Sequence, residues 1–252
     1  MSNILKEIID HFNNNHLDKA LNLCEANNEK KIAHLITNIK GAILFKQQNY
    51  ELAKKEFLKS IDLNEKFLDP HKNLFNLNIK LKDYKSAIVN GENVIKLDST
   101  KNPFSYFNLA LAYDLNNDFK KAIELYKIVE TSKFKEKRIL FNNLAKCYLS
   151  SENIVEAKSY YLKALEFDQD DKVILNNLLI LYLRIGEEDK SEYFYKKAKK
   201  VDANYIEFRL NESEYFFLKN NHQKSIEILQ SIINKTKNYI AYSKLAKIYS
   251  MI

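Results

Sequence analysis

The amino-acid sequence predicts an all-α protein built from one helical hairpin repeated along the chain. Three observations carry this. Amphipathic segments come in pairs, each pair joined by a short polar break. The 252 residues include only three Gly and two Pro, the residues that punctuate strands and tight turns. A small residue recurs at Ala20, Ala53, Ala87, Ala122, Ala157, Ser191 and Ser225, in steps of 33, 34, 35, 35, 34 and 34 residues.

The clearest hairpin runs from Pro103 to Val129. Tyr106, Leu109, Ala110 and Tyr113 are spaced i, i+3, i+4, i+7 and so share one helical face. After a polar break at Asp114–Asp118, Phe119, Ala122, Ile123 and Tyr126 repeat that spacing. Asn102 suits a helix cap, and Pro103 suits the first helical position, where a missing N–H costs nothing.

Each unit is numbered so that its recurring small residue is position 20. Position 24 is then Cys24, Phe57, Gly91, Tyr126, Tyr161, Tyr195 and Leu229. A polar break follows each first helix, at 13–15, 47–49, 82–83, 116–118, 150–153, 186–188 and 220–222. Asn and Gly in these breaks tolerate the left-handed conformation that ends a helix. The units run over about 1–33, 34–67, 68–102, 103–137, 138–171, 172–205 and 206–238, with a last first helix over 239–252. Together they form one expected domain, 1–252.

This pattern resembles the tetratricopeptide repeat family, whose unit is a helix-turn-helix of 34 residues. The small residues at positions 8 and 20 and the aromatics at 11 and 24 match best over 103–198, with Tyr106 and Phe141 where the family has Trp. Repeats one and seven are degenerate. Repeat three departs, with Phe75 at position 8 and Gly91 at position 24. The resemblance implies a right-handed superhelical solenoid of about seven hairpins plus a C-terminal helix, with first helices lining a concave groove. One hairpin cannot bury its own apolar faces, whereas stacked hairpins bury a continuous core.

Composition narrows the function. The net charge is +7 with Lys and Glu interspersed, as on solvated helix surfaces. The run Lys196 to Lys200 sits near a helix end, where cations suit the dipole, and no nucleic-acid partner is expected. No apolar run approaches the roughly 18 residues of a membrane span, and the first residues do not read as a secretory signal. Cys24 and Cys147 read as free thiols in a reducing compartment, so a cytoplasmic location is expected. No Gly-rich phosphate loop, metal cluster or nucleophile with a base is apparent. His11 and His16, five residues apart, are not expected to meet. The chain is therefore expected to be no enzyme and to need no cofactor or metal.

Binding residues are expected instead on the first helices. Position 6 is Asn73, Asn108, Asn143, Asn177 and Asn211 in five consecutive repeats. It lies about 150° from the mean direction of the core positions, toward the groove. Two roles suit it, a hydrogen bond to the neighbouring repeat or a ladder of amides that grips a peptide backbone, since an amide both donates and accepts. The ladder resembles the one in the repeat domain of O-linked N-acetylglucosamine transferases. Phe104, Leu111, Lys146, Ile180 and Arg184 flank the row at positions 2, 9 and 13. Lys72 and Asn76 also face the groove. With Lys146 and Arg184 they do not form the three-repeat carboxylate clamp of chaperone-binding relatives.

The expected function is a protein-interaction scaffold holding an extended peptide. Alternatives are the substrate-recruiting region of a larger transferase and, with less support, RNA binding. Over 239–252, Tyr242, Leu245, Ala246 and Tyr249 form an apolar face with no second helix. It implies self-association, another chain, or continuation into a longer protein.

Overall fold

The computed structural model describes residues 3–27 and 29–251; Met1, Ser2 and Ile252, which the expected repeat boundaries include, lie outside them. The chain divides into two compact units, Met1–Phe134 and Lys135–Ile252. The first holds α1 (Asn3–Asn13), α2 (Leu17–Ala26), a 3₁₀ turn at Lys30–Ile32, α3 (Ala33–Lys46), α4 (Tyr50–Leu63), α5 (Leu68–Lys80), α6 (Tyr84–Leu97), α7 (Pro103–Leu115) and α8 (Phe119–Glu130). The second holds α9 (Lys137–Ser150), α10 (Ile154–Leu165), α11 (Lys172–Ile185), α12 (Glu188–Asp202), α13 (Ile206–Leu218), α14 (His222–Lys235) and α15 (Tyr239–Tyr249). No strand occurs among the described residues. Each unit is a stack of helix-turn-helix hairpins, as the periodicity requires.

The turns are chemically uniform. Position 15 takes a left-handed conformation in all seven hairpins, at Asn15, Gln48, Lys82, Asn117, Glu152, Gly186 and Asn220. The next residue's N–H then reaches back to the carbonyl of position 11, as in Asn49 to Leu44 (2.9 Å), Asp118 to Tyr113 (2.9 Å) and Glu187 to Tyr182 (3.1 Å). This 6→1 bond is the Schellman closure of a helix end. The same residue caps the second helix: the side chains of Asp83, Asp118 and Asn221 accept from the backbone N–H three residues on. Asn102 caps α7 by accepting from the Phe104 N–H at 3.0 Å, with Pro103 at the first position as expected.

Only one of the seven left-handed positions is glycine. A Cβ added at Gly186, with φ at +73°, meets nothing within 4 Å. Gly186→Ala therefore carries backbone strain alone, an expected loss of about 1 kcal/mol in urea denaturation. Glu152→Gly relieves the same strain and gains less than that, because the unfolded chain also gains freedom.

The turn between α1 and α2 corrects one expectation. His16 lies beyond the end of α1, so helical spacing does not govern it. The chain reverses through Asn15, and the His11 and His16 rings come within 5.7 Å of each other. No group of three or more His, Cys, Asp or Glu able to hold a metal is present among the described residues.

Close approach of helices explains the small positions. Ala20, Ala53, Ala87, Ala122, Ala157, Ser191 and Ser225 are all buried. A Cβ added at Gly41 would lie 2.6 Å from the Phe57 ring, so the absent side chain makes room for that ring. Repeat three inverts this pairing. Phe75 fills the space, and a Cβ at Gly91 would come within 2.9 Å of Leu109 and 3.3 Å of Phe75. The departure at positions 8 and 24 is thus a large-for-small exchange across one contact. Position 11 of the same repeat is Asn78, only 1% exposed, with Oδ1 lacking a hydrogen-bond partner where repeats four to seven place Tyr113, Tyr148, Tyr182 and Phe216.

Both cysteines are buried, and neither is in a disulfide. Burial pushes the Cys24 thiol up to about 11. No helix among the described residues is long and apolar enough to cross a membrane. α15 leaves Tyr242 and Tyr249 about half exposed.

Candidate functional site

The first helices present the row of asparagines, and the structure shows what orients them. Asn73 Nδ2 donates to Asn38 Oδ1 at 2.9 Å in the first unit. In the second unit Asn177 Nδ2 donates to Asn142 Oδ1 and Asn211 Nδ2 donates to Asn176 Oδ1, each at 2.9 Å. In every pair a position-6 amide meets the position-5 amide of the preceding repeat. Of the two roles weighed from sequence, the neighbour-bracing bond is present at Asn73, Asn177 and Asn211.

Bracing does not exhaust these groups. A primary amide has two N–H donors and one oxygen with two lone pairs. After the lateral bond, Asn73 and Asn177 retain an oxygen and an N–H. Both are half-buried, whereas Asn211 and Asn143 are buried. Asn108 is exposed, because the preceding repeat places Lys72, not Asn, at position 5.

The flanking residues divide by environment. Phe104 is 49% exposed and sets its ring edge against Phe134, centroids 4.9 Å apart. Leu111 and Ile180 are half-buried, and Lys146 and Arg184 are exposed.

Two hollows lie on the first-helix face of the first unit. A pocket of about 180 Å³ between α5, α6 and α7 collects Lys72, Asn76, Phe104 and Asn108 over a floor of Phe75 and Gly91. Lys72 forms no ion pair among the described residues. Asp98, whose carboxyl feels the Lys72 charge, accepts from the Thr100 hydroxyl and backbone N–H and from Ser105 Oγ. The Thr100 hydroxyl, with those N–H and O–H donors and the Lys72 charge, holds its carboxyl below the ordinary range. A larger groove of about 500 Å³ crosses α1, α3 and α5, lined by Leu5, Ile9, Phe12, Leu35 and Ile39 with the Asn38–Asn73 pair at its floor.

Sequence reasoning missed Asn38, Asn142 and Asn176. Their signal was present, since each stands 35 residues before its partner. It also missed the α1/α3/α5 groove, which requires three degenerate helices to be placed side by side.

The hairpin stack with amide-paired first helices defines a helical repeat protein. A family model for the tetratricopeptide repeat matches residues 38–67, 105–127 and 140–171. The chain is similar to the uncharacterized protein ycf37 of Cyanophora paradoxa, 30% identical over 120 residues, covering 44% of this chain and 68% of that protein. It is also similar to tetratricopeptide repeat protein 21B of Xenopus laevis, 31% identical over 103 residues, covering 40% of this chain but only 8% of that much longer protein. A solved tetratricopeptide repeat protein from Parabacteroides merdae superposes with a TM-score of 0.71 at 11% identity, covering 97% of this chain and 96% of that one. The chain belongs to the tetratricopeptide repeat family.

Proposed function

We propose that this protein is a non-catalytic interaction scaffold that holds extended segments of partner proteins on the first-helix faces of its two units. The observation that carries this reading is the paired amides. Each lateral bond fixes a side chain that would otherwise rotate, and leaves an N–H and an oxygen to meet a peptide's C=O and N–H. Fixing the amides in advance lowers the entropy lost on binding.

Each such bond contributes about 0.5–1.5 kcal/mol net, so affinity is shared among several. Lys72 with Asn76 and Asn108 adds one pocket able to accept an anionic side chain. This scaffold reading leaves room for a place within a larger transferase assembly, where the same faces would recruit the substrate.

Asn108→Ala is the cleanest test, because the amide is exposed and no described hydrogen bond is lost with it. Peptides selected from a random linear library should bind this variant about 2- to 10-fold more weakly, with unchanged circular dichroism. Equal binding for every selected peptide would reject the amide row. A steep decline of binding with salt would favour nucleic acid instead.

A further inference from the structure

The α1/α3/α5 groove is larger than the pocket that holds the expected binding residues, and only Asn73 of those residues reaches it. Its walls are mostly apolar. Ile9, Phe12, Leu35 and Ile39 pack one side against the core of the first hairpins and leave the other side open. At about 500 Å³ it falls within the range of ligand-holding clefts.

We infer that this groove is an apolar-anchor site. It takes one or two large aliphatic or aromatic side chains from an extended peptide whose backbone lies on the Asn38–Asn73 pair, with an acidic residue of the same peptide on Lys72. The inference rests on the scaffold reading and names the class of segment recognised.

Three features select that occupant. A helical ligand has spent its backbone N–H and C=O groups internally, so it would desolvate the Asn38–Asn73 amides without pairing them. An extended segment offers both groups. Cations border the hollow: Lys46 Nζ stands 4.3 Å from the Phe12 ring centroid, and Lys72 lines both the groove and the neighbouring pocket. Asp69, at the same rim, is the one carboxylate lining the groove, so a carboxylate arriving over Lys72 approaches from the α7 side, where Asn76 and Asn108 can donate to it.

The spacing follows from geometry. Packed helices lie about 8–10 Å apart, and an extended chain advances about 3.3 Å per residue. The apolar anchor and the acidic residue should therefore be separated by about three positions.

The experiment is selection of a random linear peptide library on the full chain, followed by binding measurements on the recovered peptides. Recovered sequences should combine a large apolar residue with Asp or Glu about three positions away. Changing the apolar residue to Ser should weaken binding about tenfold or more, with no change to the protein. Ala42→Phe, which fills the groove from α3, should do the same, and Lys72→Glu should remove the acidic preference while keeping the apolar one.

Recovered peptides with helical periodicity, or peptides indifferent both to the Ser change and to Ala42→Phe, would overturn the anchor site. If those peptides still weaken with Asn108→Ala, the scaffold reading survives its loss. Recovery of no binding peptide would overturn both.

Discussion

Glu212→Ala should lower the stability of the second unit by about 3 kcal/mol, read from urea denaturation. Position 7 is Leu74, Leu109, Leu144 and Leu178 in four other repeats, all buried against their hairpin. Here a carboxylate stands in that place, 1% exposed. It survives because its oxygens are fully engaged. Oε1 accepts from the Tyr195 hydroxyl at 3.0 Å and from Lys199 at 3.1 Å, and Oε2 accepts from Arg209 at 2.6 Å. Arg209 is held in turn by Ser231 Oγ at 2.9 Å.

Removing the carboxylate leaves a cavity and strips Tyr195 and two cations of their acceptor. Lys199 and Arg209 are partly exposed, so water re-solvates them, which places the cost at the low end for a broken buried pair. Glu212→Leu restores the residue of the other repeats and should cost less than Ala, because it refills the cavity while Tyr195, Lys199 and Arg209 still lose their acceptor. A large loss for Leu as well would show that the network, and not the filled volume, holds this hairpin.

The second large effect concerns repeat three. Phe75→Ala should cost about 3–4 kcal/mol by opening a cavity. Gly91→Tyr alone should cost about 2–3 kcal/mol, because any side chain there meets Phe75 and Leu109. The double change should recover most of the loss, since it recreates the arrangement of Ala110 with Tyr126 and of Ala145 with Tyr161, where the small residue is on the first helix and the ring on the second. Simple addition of the two costs would mean that the two positions do not share one space.

These contacts show what the sequence made legible. The hairpins, their turns and the small positions follow from local rules, because helical period and backbone conformation are set within a few residues. Even the departure at Phe75 and Gly91 was visible as an anomaly. Its resolution was not, because the exchange of bulk lies across two helices.

The same limit applies to the candidate site. Position 6 could be placed on the groove side from its angle alone. That Asn73 bonds to Asn38 depends on how far one repeat advances over the next, a distance that no single helix encodes. The His11–His16 contact is hidden for a related reason, since the angular rule for a helix does not extend past the end of α1. The buried Glu212 is not legible in the sequence because its partners, Tyr195, Lys199 and Arg209, are scattered among the many charges of an ordinary helix surface.

The most direct measurement is of the asparagine side chains themselves. In an NMR titration with a library-selected extended peptide, the side-chain amide signals of Asn38, Asn73 and Asn108 should shift together and saturate with the binding curve, while signals from the second helices stay in place. A peptide that binds with those amide signals unmoved, and with its shifts gathered on the second helices, would contradict the account.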